Sequence, residues 1–195
     1  MNRKLLAAAA LAAVLPALQG CVTVAAVGAG TVAVMANDRR TTGTYVEDES
    51  IEWQVIAKLT SNFSNVHVNA TSYNRKVLLT GEVSDEATKK RVEDAVKSLA
   101  PVASVANELS VGGSTSLTSR GNDSIITTNV KARMVNNGKF STGHVKVVTE
   151  ASTVYLMGLV TQAEGDAAGD IARSTSGVTR VVKVFEYIPD PAKKN

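Results

Sequence analysis

Only one cysteine, Cys21, and two histidines, His67 and His144, occur in 195 residues. Without a second thiol no disulfide can close within the chain. The histidines stand alone, each just before a valine (Val68, Val145), at equivalent places where alternation turns them to solvent. A metal centre needs several converging ligands, and no spacing here supplies them. No serine or threonine has a neighbouring base or an elbow motif, so nucleophilic catalysis has no visible apparatus. The reading is of a protein that is not an enzyme and needs no cofactor. An excess of one charge is also missing. The chain holds 21 basic and 18 acidic residues, and beyond Gly20 the count is 19 against 18. That balance argues against nucleic acid as a partner. Finally, no apolar run reaches the ~20 residues of a membrane-spanning helix.

What is present begins at the N-terminus. Arg3 and Lys4 precede an apolar run from Leu5 to Leu18, and the small Gly20 stands just before Cys21. This is the form of a secretion signal over 1–20. Leu18-Gln19-Gly20-Cys21 resembles a lipobox, although Gln19 departs from the small or β-branched residue usual there. The match implies that Cys21 is the lipid-attachment site and the first residue after cleavage. An ordinary cleaved signal followed by a stray cysteine is the alternative. Residue 22 is Val rather than the Asp that retains lipoproteins in the inner membrane, which implies the inner leaflet of the outer membrane, facing the periplasm. Residues 22–36 read as a tether on or near the bilayer, or equally as a small-residue linker. As a flexible coil, 22–46 would span roughly 25–30 Å.

The rest of the chain is an internal repeat. Val77-Leu-Leu-Thr-Gly81-Glu-Val83 matches Val154-Tyr-Leu-Met-Gly158-Leu-Val160 at an offset of 77. Asp48 and Ile51 match Asp123 and Ile126, and Pro101-Val102 matches Gly177-Val178, at offsets of 75 and 76. Ile51, Val55, Leu59 and Ile126, Val130, Met134 each follow i, i+4, i+8, one face of a helix. Val68, Ala70, Val77, Leu79 and Val145, Val147, Val154, Leu156 alternate as strands around short connections. Gly81 and Gly158 interrupt strand patterns, marking a bulge or close backbone packing. Second helices open at Ser84 and at Thr161-Gln-Ala-Glu164, the latter a capping box. Carboxylates Asp85, Glu86, Glu93 and Asp94 share their helix with Lys89, Lys90, Arg91 and Lys97, a solvated face with i,i+4 pairs. Last strands follow at Val105–Val111 and Val181–Ile188. The fold class is α+β, two tandem modules of order α-β-β-α-β. Each has a three-stranded mixed sheet packed by two helices.

The V-x-L-x-G-x-V cores, with Ala95 and Ala172 in the second helices and the V-x-x-V after them, resemble the BON domain. With the lipobox, Asp38-Arg39-Arg40 and Gly43, the chain resembles the dual-BON outer-membrane lipoproteins. The boundaries expected are 1–20 signal, 21–46 lipidated Cys and tether, 47–111 first domain, 112–121 Gly/Ser/Thr-rich linker, 122–188 second domain and 189–195 tail. The resemblance implies a non-enzymatic lipoprotein binding anionic phospholipid (phosphatidylglycerol, cardiolipin) and supporting outer-membrane integrity, with an association to the division site. It also implies a link to the outer-membrane protein assembly machinery.

One surface stands out. Centring the buried face of Ser124–Val135 on Val130 leaves Ile125, Thr128, Ala132 and Val135 opposite, with Lys131 at the border. Soluble helices are normally polar there. Across 120–149, Arg120, Lys131, Arg133, Lys139 and Lys146 stand against Asp123 alone, whereas the first copy is acidic, with seven basic and nine acidic residues over 48–111. An apolar face flanked by cations suits anionic headgroups. The face could instead pack on the first copy. Trp53, on the outward face of the first copy's helix, is open between interdomain contact and a partner site, the latter fitting an adaptor for assembly or envelope-stress machinery.

Overall fold

In the computed structural model residues 38–64, 66–112, 117–135 and 137–190 are described. The signal over 1–20, Cys21 and the apolar stretch 22–36 lie outside them. Helix α1, Thr42–Asn62, is capped by Thr41, whose side chain accepts from the Thr44 N–H. Its i, i+4, i+8 stripe is the predicted one, with Ile51, Val55 and Leu59 0, 0 and 5 % exposed. The antiparallel pair β1 (His67–Tyr73) and β2 (Lys76–Val83) follows. Helix α2 (Glu86–Lys97) carries the chain back so that β3 (Ser104–Asn107) and β4 (Ser110–Val111) lie parallel to β2.

The second module repeats this order. Helix α3 spans Leu117–Val135 and strands β5 (Lys146–Glu150) and β6 (Thr153–Met157) pair antiparallel. Beyond β7 (Leu159–Val160), helix α4 (Gln162–Arg173) returns the chain to β8 (Arg180–Lys183) beside β6 and β9 (Glu186–Tyr187) beside β7, both parallel. The capping box forms as expected, Thr161 and Glu164 each accepting the other's backbone N–H. The helices reach further than expected. Residues 42–46, read as tether, are the first turns of α1, and 117–121, read as linker, open α3.

Both hairpin turns are two residues long, and all four turn residues have positive φ: Asn74 52°, Arg75 61°, Ala151 48° and Ser152 59°. Such turns match the twist of the strands, but the left-handed region costs a non-glycine residue roughly 1–2 kcal/mol. The repeated aspartates offset that cost. Asp48 accepts from the N–H groups of Asn74 and Arg75 at 2.8 Å each, and Asp123 from those of Ala151 and Ser152 at 2.9 and 2.8 Å. The repeated glycines answer another need. A Cβ on Gly81 would lie 2.1 Å from the His67 carbonyl oxygen, and one on Gly158 2.2 Å from that of His144.

Each module has a core between its sheet and helices. Val77, Leu79 and Val83 join Ile51, Val55, Val92 and Val96, while Val154, Leu156 and Val160 join Ile126, Val130, Met134 and Ala172. The alternate residues of the central strands, Leu78, Tyr155 and Met157, point the other way and form a third cluster with Tyr73 of β1. The two sheets thus pack face to face, with the helices outside. Central strands buried on both faces read as unbroken apolar runs, as Val77-Leu78-Leu79 and Val154-Tyr155-Leu156-Met157 do.

Candidate functional site

Sheet-to-sheet packing decides which helix surfaces stay open. Ile125 is 61 % exposed and Val135 67 %, so the α3 face does not pack on the first module. Thr128, Lys131 and Ala132 are exposed on the same face. Together with Met134, Val135, Thr142 and Val145, these three residues line a groove of about 430 Å³ between α3 and the 3₁₀ turn Thr142–His144. Ile125, Thr128, Ala132 and Val135 recur at helical spacing, so one strip of apolar surface runs along α3 beside the Lys131 ammonium.

Two of the basic residues grouped by sequence serve other ends. The Arg133 guanidinium donates to the Ile171 carbonyl at 3.1 Å, Thr175 Oγ1 at 2.8 Å and Ser174 Oγ at 2.9 Å. It satisfies the C-terminus of α4, where a cation is favoured. Lys146 Nζ crosses to the first module, donating to Glu52 Oε1 at 2.9 Å and the Ser72 carbonyl at 3.2 Å. Sequence clustering is therefore only partly spatial clustering.

Trp53 is 72 % exposed and lies outside the sheet-to-sheet contact, which corrects the interdomain half of its expected role. Val46 (60 %) and Ile56 (47 %) are exposed on the same helix at spacings of seven and three from it, giving α1 an apolar outer strip of its own.

The segment before α1 straps the modules together. Arg39 donates to both carboxylate oxygens of Glu164 (2.6 and 2.9 Å) and to the Leu159 carbonyl at 2.8 Å. Burial disfavours the Glu164 anion, but Arg39 and the Thr161 N–H and hydroxyl outweigh it and hold its pKa at about 2. Arg40 turns to the first module, between Asp38 and Asp48, with its guanidinium 4.0 Å from the centre of the Tyr73 ring. Burial also works against the Asp38 anion, and Arg40 again prevails, keeping its pKa below the ordinary value. Burial pushes the Tyr73 phenol up to about 12, and the Asp38 charge adds to it.

The histidines are not solvent-facing as expected, because the sheet face opposite the helices meets the other module. His67 Nδ1 lies 3.0 Å from Glu82 Oε2, and Glu150 of β5 approaches from across the junction. Potential ligand atoms of these three residues fall within 4.8 Å of one another. No local spacing in the sequence shows this convergence, since the residues come from three strands of two modules. A histidine facing a glutamate across one register pair (His67↔Glu82) was the only signal available. His144 sits near Arg39 and Glu164, and burial, then the Arg39 charge, lowers its pKa. No helix among the described residues is long and apolar enough to cross a membrane.

The fold now has counterparts. The family model of the BON domain matches twice, over residues 47–113 and 122–189. The outer membrane lipoprotein DolP of Haemophilus influenzae is 42 % identical over 175 residues, 88 % of this chain and 90 % of that protein. A 21 kDa hemolysin of Actinobacillus pleuropneumoniae is 32 % identical over 77 % of this chain and 79 % of its own length. The osmotically-inducible protein Y of Escherichia coli is 28 % identical over 71 % and 72 %. The chain belongs to the BON-domain family, and within it to the outer-membrane lipoproteins.

Proposed function

We propose that this protein is a non-enzymatic lipoprotein, lipidated at Cys21, that recognises anionic phospholipid in the inner leaflet of the outer membrane through the α3 face of its second domain. Ile125, Ala132 and Val135 enter the headgroup–acyl boundary, Thr128 and Lys131 meet the phosphate region, and Arg133 borders the site. Phosphatidylglycerol and cardiolipin are the candidate lipids. Sorting toward membrane rich in them gives the protein its role in envelope integrity and at the division site. The observation that carries this reading is the pair of large apolar side chains, Ile125 and Val135, standing open beside a groove that Lys131 lines. Apolar area plus cations is the combination that binds anionic interfaces. The lipid anchor raises the local concentration, so the face needs only modest affinity.

Co-sedimentation with vesicles tests it. The protein without its lipid should pellet with vesicles doped with phosphatidylglycerol or cardiolipin and not with zwitterionic ones. Ile125→Glu should abolish pelleting with an unchanged circular-dichroism spectrum. Unaltered pelleting of that variant would sink the assignment.

A second reading rests on the outer strip of α1. Val46, Trp53 and Ile56 suit an adaptor docking on outer-membrane assembly or envelope-stress machinery. Salt separates the two, since headgroup binding weakens with ionic strength whereas apolar docking does not.

A further inference from the structure

The junction between the two domains carries a feature that neither the fold nor lipid recognition requires. Glu82, at the end of β2, has a side chain only 9 % exposed. Glu150, from β5 of the other domain, brings a second carboxylate within 4.8 Å. Among the described residues, no lysine or arginine ion-pairs with either. Their neighbours include the His67 ring, with Nδ1 3.0 Å from Glu82 Oε2, and the Asn69 amide, which donates to Glu150 Oε2 at 2.9 Å. A cation between two such carboxylates is attracted by both.

The repeat shows that the arrangement is particular to the junction. At the offset of 77, His67 corresponds to His144, but Glu82 corresponds to Leu159 and Glu150 to Tyr73. Each glutamate stands in one copy only, and the fold of the other copy forms without it. A cavity of about 440 Å³, lined by His67, Asn69, Thr127, Thr149 and Glu150 among others, opens beside the three side chains.

We propose that His67, Glu82 and Glu150 form a zinc site bridging the two domains. One imidazole nitrogen and two carboxylates are a donor set suited to Zn²⁺, whereas Ca²⁺ and Mg²⁺ take oxygen ligands throughout. Zinc bonds of about 2.0–2.2 Å place tetrahedral ligands roughly 3.3 Å apart. The half-buried Glu150 side chain needs to close by no more than about 1.5 Å. His67 and Glu82 are already a register pair at the sheet edge. The fourth position faces the cavity, where a water or a small anion completes the shell. Because the ligands come from both domains, bound zinc pins the junction.

The test uses the full chain in detergent, stripped with chelator and dialysed against Zn²⁺, with bound metal counted by mass spectrometry and thermal unfolding followed in parallel. One zinc per chain is expected, with a rise in Tm that grows with zinc concentration and persists in excess Mg²⁺ and Ca²⁺. Glu150→Gln, on a half-buried side chain, should weaken binding by at least ~10-fold and abolish the Tm rise, and His67→Ala should do the same. His144→Gln should leave both intact. No saturable zinc, or zinc retained at full affinity by Glu150→Gln and His67→Ala alike, would overturn the proposal.

Discussion

Asp48 and Asp123 each accept two turn N–H groups and allow hairpins of Asn74-Arg75 and Ala151-Ser152 to hold left-handed backbone without glycine. Replacing Asp123 with Ala takes the acceptor from the N–H groups of Ala151 and Ser152, at a cost on the order of 2 kcal/mol. Urea unfolding should show a lower midpoint and an unchanged slope. Gly81 makes a harder demand. A methyl there meets backbone, not a flexible side chain, at φ +111°. Gly81→Ala should cost more than about 2 kcal/mol, measurable in the same experiment.

At the scale of the element, α3 presents two opposite faces, one buried and one open. Ile126, Val130 and Met134 face the core at 1, 0 and 1 % exposure, and the strip opposite is open. Lys131→Glu should weaken binding to anionic vesicles. Each basic residue at such a surface contributes about 1 kcal/mol, so reversal corresponds to roughly 30-fold. Arg133→Ala should behave otherwise. Its guanidinium closes the end of α4, so the variant should lose stability and keep most of its lipid affinity. Vesicle binding and thermal unfolding measured on both variants distinguish these roles.

At the scale of the whole molecule, the strap before α1 makes the junction sensitive to acid. The folded Glu164 pKa of about 2 lies below its ordinary 4.5. A depressed carboxylate contributes stability that is fully present above pH 4.5 and is lost as pH falls toward 2. That lowering corresponds to an effect on the order of 3 kcal/mol. Arg39→Ala should therefore destabilise the protein clearly at pH 6 and hardly at all near pH 2, as urea unfolding at the two pH values would show. If the two losses are equal, the ion pair is not the cause.

The two-copy organisation, the order of elements, the buried helix stripes and the capping box were all legible in sequence. They depend on local periodicity and on spacings that repeat. The open α3 strip was legible for the same reason, since a helix displays its own faces. What lies opposite a sheet is not a local property. Leu78, Tyr155 and Met157 read as continuations of apolar runs, and only tertiary packing revealed that they join the modules. The same packing drew Lys146 away from the basic face, left Trp53 outside the junction and buried part of each histidine. It also gathered His67, Glu82 and Glu150 from three strands. Periodicity within one segment determined the elements; contacts between segments far apart in the chain decided the junction and everything held in it.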